Sequence, residues 1–173
     1  MYDVGGNTGR WALRCVAHDP DVRVTVLDLP QQVALLKKET AAAPNGERID
    51  GIGLDILGDG DLPGEADVWW MSQFLDCFSE EQVERILHRI RRALKPSARV
   101  CILEPFCDRQ TFETGAAVLN AFSLYFTCLA NGNSRFFRAA ALLGRLERSG
   151  FEVEREINGV GFGGHTLLVC VAA

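Results

Sequence analysis

Met1-Tyr2-Asp3-Val4-Gly5-Gly6-Asn7-Thr8-Gly9 opens the chain, and its reading decides the fold. A short apolar strand carrying an acid runs into a glycine-rich turn, and a helical pattern (Trp11, Ala12, Cys15, Val16) follows. Glycines at 5, 6 and 9 allow a tight turn and let a ligand come close to backbone N–H groups. About one βαβ unit later, Val24-Thr25-Val26-Leu27-Asp28 ends on a carboxylate, where an acid reaches ribose hydroxyls. That order predicts a nucleoside-binding site at the head of the chain.

Spacing selects among nucleosides. The dinucleotide fingerprint needs G-x-G-x-x-G. Counted from Gly5, the other two glycine positions hold Asn7 and Arg10. A pyrophosphate turn is not made, which disfavours a nicotinamide-dependent oxidoreductase. What stands is D-x-G-G-x-T-G. Asp3 at its head would repel a pyrophosphate but suits an ammonium-bearing ligand, such as the methionine end of S-adenosyl-L-methionine.

Strands and helices alternate outward from this stretch. Strands are expected at Tyr2–Val4, 23–27, 49–54, 67–71 and 100–103, with helices between them, and such alternation implies a parallel sheet covered on both faces. Pro30 starts the second helix, with Leu35 and Leu36 as its apolar contacts. The helix after the fourth strand is the clearest: Ser79 and Gln82 form a capping box, and Val83, Ile86, Leu87, Ile90 and Leu94 repeat at helical spacing. His88 falls off that stripe and reads as a solvated residue. Residues 108–130 predict a long helix, apolar nearly all round, with more apolar surface than one sheet face can cover, so on these 173 residues Phe122, Tyr125 and Phe126 are expected in an exposed patch. A further helix ends at Gly150, and strands at 152–157 and 165–171 close the chain. Asn158-Gly159 predicts the tight reversal between them.

Composition excludes other classes. The 173 residues suffice for one domain, and 47% hydrophobic with 24% charged residues is ordinary for a globular protein. A net charge of −5 disfavours a nucleic-acid partner, and no apolar run is long enough to span a membrane. No leader is visible, and the six cysteines form no C-x-x-C pair. Five of them sit among apolar neighbours and are expected as buried thiols in a cytoplasmic protein. Gly58-Asp59-Gly60-Asp61 lacks the remaining acids of a calcium loop and reads as a surface turn, and no metal site is expected.

Six ordered segments carry a family resemblance: Asp3–Gly9, Leu27-Asp28-Leu29-Pro30, Leu54-Asp55-Ile56, Phe78-Ser79-Glu80-Glu81, Cys101-Ile102-Leu103-Glu104-Pro105 and Gly164-His165-Thr166-Leu167-Leu168. In them the chain resembles the catalytic domain of S-adenosylmethionine-dependent O-methyltransferases of the plant caffeic-acid and hydroxyindole type and their bacterial relatives. The resemblance implies an α/β class I methyltransferase, Rossmann-like sandwich, with a mostly parallel seven-stranded sheet and a C-terminal antiparallel hairpin. It implies that Gly5 contacts the methionine part of the cofactor, Asp28 the ribose, Asp55 the adenine amino group and Ile56 the ring. Asp3, Gly6, Gly9 and Leu29 complete that cofactor set. The family's cofactor-contacting lysine matches Ser72 and is lost. Thr127 and Asn131 match family positions that line the acceptor pocket, and Phe122, Tyr125 and Phe126 lie in the helix that the family turns to its upstream domain and acceptor, so all five are expected to meet the acceptor.

The catalytic motif departs from the pattern. Where the family has its general-base histidine this chain has Asp76; its orienting glutamate is matched by Glu104, and a second one has no counterpart around 131–135. A phenol has a pKa near 10 and a free aspartate about 3.9, so Asp76 is a useful base only if burial or Glu104 raises it. Otherwise alignment alone carries the transfer, or Asp76 is a loop residue and the chain a non-catalytic cofactor-binding module. The family also has an upstream domain that dimerises. The expectation is therefore a catalytic domain over residues 1–173, a fragment of a homodimeric protein, methylating a small aromatic or apolar acceptor.

Overall fold

The computed structural model describes residues 1–162 and 164–173. The strands are β1 (Tyr2–Val4), β2 (Val24–Asp28), β3 (Ile49–Gly53), β4 (Val68–Ser72), β5 (Arg99–Glu104), β6 (Phe151–Val160) and β7 (His165–Ala172). The helices are α1 (Arg10–His18), α2 (Pro30–Thr40), α3 (Glu80–Ala93), α4 (Glu113–Phe126) and α5 (Ala139–Arg148). One seven-stranded sheet runs β3-β2-β1-β4-β5-β7-β6; β1 to β5 are parallel and β7 is antiparallel to both β5 and β6. The seven-stranded, Rossmann-like sandwich expected from the sequence is the observed one.

Alternation along the strands divides the core between two faces. Trp69 and Met71 of β4, with Val100 and Ile102 of β5, meet Val83, Ile86, Leu87 and Ile90 of α3 and Leu142 and Leu146 of α5. On the other face Val24 and Val26 of β2 pack with Ala12, Val16 and Leu36, and Trp70 stacks on Trp11 at 4.7 Å. The capping box of α3 forms as read: Ser79 Oγ accepts from Gln82 N–H, and Gln82 Oε1 accepts from Ser79 N–H.

Four expectations are corrected. Asn158-Gly159 does not turn the last hairpin. Both residues lie within β6, beside register shifts between Ile157 and Val160, and the chain reverses after Val160. The bulge absorbs the pair that was read as a turn. Leu35 is exposed, and α2 contacts the sheet through Val33 and Leu36 instead. The long helix starts at Glu113 rather than at 108 and ends in a π-helical turn at Thr127–Asn131; it buries none of its residues, and Phe122, Tyr125 and Phe126 are exposed as expected. Of the cysteines, only Cys170 is buried; Cys77 and Cys128 are exposed. His88 is exposed, and the Asp59–Asp61 turn lies at the surface as expected.

Candidate active site

Chain order reverses between β1 and β4, and the loops leaving those strands at their carboxyl ends open a crevice there. Gly5 (φ +74°), Asn7 (φ +52°) and Gly9 (φ +79°) hold the first loop in left-handed conformations. Gly5 must be glycine for a second reason: a Cβ there would overlap the Phe74 ring. Asn7 N–H donates to Asp28 Oδ2 at 2.8 Å and Leu29 N–H donates to Oδ1 at 2.7 Å. Two backbone donors thus aim the carboxylate, and its remaining lone pairs can still accept.

A cavity of about 150 Å³ lies beside this turn, lined by Gly5, Leu27, Asp28, Leu29, Leu54, Asp55, Ile56, Phe74 and Phe78. Five of the residues expected on a cofactor (Gly5, Asp28, Leu29, Asp55, Ile56) are therefore brought together. Asp3, Gly6 and Gly9 stand behind them. Gly9 caps α1 and packs on Leu36. Gly6 leaves room for the Asp3 carboxylate, which a Cβ would overlap. Asp3 is buried and its Oδ2 has no hydrogen-bond partner. Burial first, and the Asp28 charge second, push its carboxyl up to about 7. A buried acid with no ion-pair partner among the described residues, a strand-end carboxylate held by two N–H donors and an apolar ledge at Ile56 have the chemistry to suit a nucleoside with a cationic tail. The Phe74 ring against Gly5 occupies part of the room such a ligand needs, because nucleoside-sized sites hold roughly 300 Å³ or more.

The connection from Gln73 to Phe78 separates this cavity from a second one of about 220 Å³, lined by Gln73, Asp76, Cys77, Phe126, Ser134, Arg135 and Phe136. Gln73 has φ +47°, a conformation that costs a non-glycine residue energy and that clusters at functional sites. The buried Glu104, at the end of β5, pins the turn: its Oε1 accepts from Phe74 N–H at 3.0 Å and Leu75 N–H at 2.9 Å. Burial raises the Glu104 carboxyl well above its ordinary value, with the Asp76 charge adding to it. Burial also raises Asp76, opposed by a hydrogen bond from the Cys77 thiol at 3.5 Å. Cys77 is exposed as a residue, but partial burial of its thiol in the cavity wall, and then the Asp76 charge, push that thiol up to about 12, so it stays protonated and donates. Asp76 is thus a carboxylate whose proton affinity its surroundings increase.

Of the five residues expected to meet an acceptor, Phe126 alone lines this cavity. Phe122 stacks on Phe126 at 6.0 Å, and Tyr125 meets its edge at 5.6 Å, so both back it from the helix. Thr127 and Asn131 are spent on the loop: Thr127 Oγ1 donates to the Ser134 carbonyl, and Asn131 Nδ2 donates to the Cys77 carbonyl at 3.0 Å. Asn131 Oδ1 accepts from Asn133 N–H and Ser134 N–H, and Arg135 N–H donates to the Asp76 carbonyl at 2.9 Å. Where a second orienting glutamate is missing, main-chain and amide contacts clamp the loop onto the Asp76 turn. Sequence reading missed Leu54, Phe74 and Phe78 on one side, and Gln73, Cys77, Ser134, Arg135 and Phe136 on the other. The spacing of Phe74 and Phe78 on both flanks of Asp76 was the available signal.

Among the described residues no group of three or more His, Cys, Asp or Glu could hold a metal ion. No helix among them is long and apolar enough to cross a membrane.

A family model described as an O-methyltransferase domain matches residues 1–152. The chain is 28% identical to 3-amino-4-hydroxybenzoate 4-O-methyltransferase of Streptomyces cremeus over 155 residues, 89% of this chain and 40% of that protein. Among solved structures it superimposes on the S-adenosylmethionine-dependent methyltransferase SibL with TM-score 0.84 and 28% identity, covering 99% of this chain and 49% of that one. It matches PigF, solved with SAH, with TM-score 0.84 and 25% identity, covering 99% and 55%. The chain spans less than half the length of the curated relative. It belongs to the O-methyltransferase domain family.

Proposed function

From that membership as premise, we propose that this chain binds S-adenosyl-L-methionine and takes part in moving its methyl group to an oxygen of a small aromatic acceptor. The observation that carries the reading is two adjoining cavities divided by one short turn that bears an acid of raised proton affinity. The cofactor supplies a methyl group on a sulfonium, ready for in-line displacement. Asp28 would hold the ribose, Asp55 the adenine amino group, and Ile56 the ring face. Asp3, buried beneath Gly6, supplies negative potential beneath the cationic end. Phe74 would have to move off Gly5 for the ligand to enter.

On the other side Phe126 and Phe136, which meet edge to face at 6.2 Å, offer an aromatic slot for the acceptor. Asp76 takes the proton from the acceptor hydroxyl, and Glu104 keeps the Asp76 turn in place through the Phe74 and Leu75 N–H groups. An aromatic acceptor agrees with the hydroxybenzoate enzyme among the relatives. The exposed apolar face of α4 supports a homodimeric protein in which a partner copy or a further domain covers that helix.

Two measurements test the reading. Calorimetric titration with S-adenosylhomocysteine should show binding, and a panel of hydroxybenzoates and other phenols should show methyl transfer. Asp76→Asn should lower turnover by about 10²-fold, the usual scale for a lost general base. Binding without transfer to any phenol leaves a cofactor-binding module that has lost its chemistry.

A further inference from the structure

Arg85, Arg89 and Arg92 stand at i, i+4 and i+7 on α3 and face the loop that follows β3. The outer two grip side chains. Arg85 meets Asp59 at 2.8 Å and Arg92 meets Asp61 at 3.8 Å, both exposed pairs of the kind that contribute little. Arg89 grips the main chain. Its Nη1 donates to the carbonyls of Asp55 and Ile56, and its Nη2 donates to the carbonyl of Gly60. One planar guanidinium thereby holds both ends of the loop, a task that a lysine's single point of donation does not match.

Apart from the three arginines, that loop is tied by local bonds. Leu57 N–H donates to Asp55 Oδ1 at 2.9 Å and Gly58 N–H to the Asp55 carbonyl at 3.0 Å. These bonds shape the turn but do not fix it against the sheet. Arg89 does, from a helix whose opposite stripe is fully buried. It does so from outside the cavity, whose lining includes Asp55 and Ile56 but not Arg89.

We propose that Arg89 is a positioning residue for nucleobase recognition, acting through Asp55 and Ile56 without touching the ligand. The inference rests on the cofactor reading above. A carboxylate that must accept from an exocyclic amino group has to sit within tenths of an ångström of its place. The guanidinium sets the height and tilt of the Asp55-Ile56 main chain, and with it the carboxylate and the apolar ledge.

The test compares S-adenosylhomocysteine with its hypoxanthine counterpart, S-inosylhomocysteine, by calorimetry on the chain. Wild type should prefer adenine, because a carboxylate attracts the amino group and repels the hypoxanthine carbonyl. Arg89→Met should weaken S-adenosylhomocysteine about tenfold and shrink the preference between the two bases. Arg89→Lys, which keeps the charge but only one donor nitrogen, should lie between and guards against a misfolded Met variant. Arg92→Ala, losing only an exposed pair, should bind as wild type. In a double-mutant cycle Arg89→Met should add little to Asp55→Ala, because nothing is left to position. Unchanged base preference in both Arg89 variants, or losses that add to those of Asp55→Ala, would show a merely structural arginine and overturn the proposal. A wild-type chain that binds neither ligand overturns the cofactor reading and this inference with it.

Discussion

Helices α3 and α4 are each 14 residues long, yet they behave as opposites. The first is studded with charge, and it buries Val83, Ile86, Leu87 and Ile90. The second is far more apolar and buries nothing. Its Leu124 is 68% exposed, and the following π-helical turn leaves Leu129 at 70%. Arrangement explains the contrast. In α3 the apolar residues form one stripe that meets β4 and β5. In α4 they run round the cylinder, and the aromatic cluster of Phe122, Tyr125, Phe126 and Phe136 is the neighbourhood it finds. Apolar content does not decide burial; a stripe with a surface to meet does.

The two cavities inherit this difference. Strand ends and their loops wall the first, with backbone N–H groups holding Asp28 in place. The second has the exposed helix and a strap of residues 131–136 on its outer side, fastened by Asn131 and Arg135 to the Asp76 turn.

The contrast can be broken most directly in the core. Ile86→Ala removes a fully buried side chain from α3 and should cost about 3 kcal/mol, read as a lowered urea midpoint with an unchanged slope. A loss no larger than that of an exposed leucine would mean that α3 is not the better-packed helix.

A second, smaller effect belongs to the strand-end side. Asp3 ionises at about 7 in the folded chain against an ordinary 3.8, so the folded state binds its proton more tightly than the unfolded one. A carboxyl raised on folding favours the native state at low pH, and that advantage is lost as pH rises from about 4 towards 7. Asp3→Asn should therefore raise the melting temperature at pH 8 and flatten the pH dependence between those limits. An Asn variant that melts lower at pH 8 would show that the carboxylate is stabilising where it lies.

The smallest effect on stability falls on α4. Leu124→Ser should change unfolding free energy by no more than about 0.5 kcal/mol, while light scattering should show weaker self-association of the isolated chain. A monodisperse wild-type monomer would show that the exposed face of α4 needs no cover.

Much of this was legible because local chemistry carried it. The glycine turn, the strand-end Asp28 and the capping box at Ser79 are short-range devices, and each formed as read. Gly6 and Gly9, read as part of the cofactor set, also make room for Asp3 and Leu36. A glycine that spares a ligand and one that spares a side chain look identical in one dimension. Asn158-Gly159 failed for a related reason: a turn-forming pair is also a bulge-forming pair, and register across β6 and β7 decided which.

By itself the sequence determined the order of elements, the sheet class and the carboxylates at the strand ends, because periodicity and turn chemistry act over a few residues. Tertiary structure alone decided that Asn131 clamps a loop. It also decided that Glu104 holds a turn through backbone donors, and that Arg89 reaches across to the carbonyls of Asp55 and Ile56. Each of these depends on which distant backbone group lies within about 3 Å of a side chain, and only the closed fold brings those groups together.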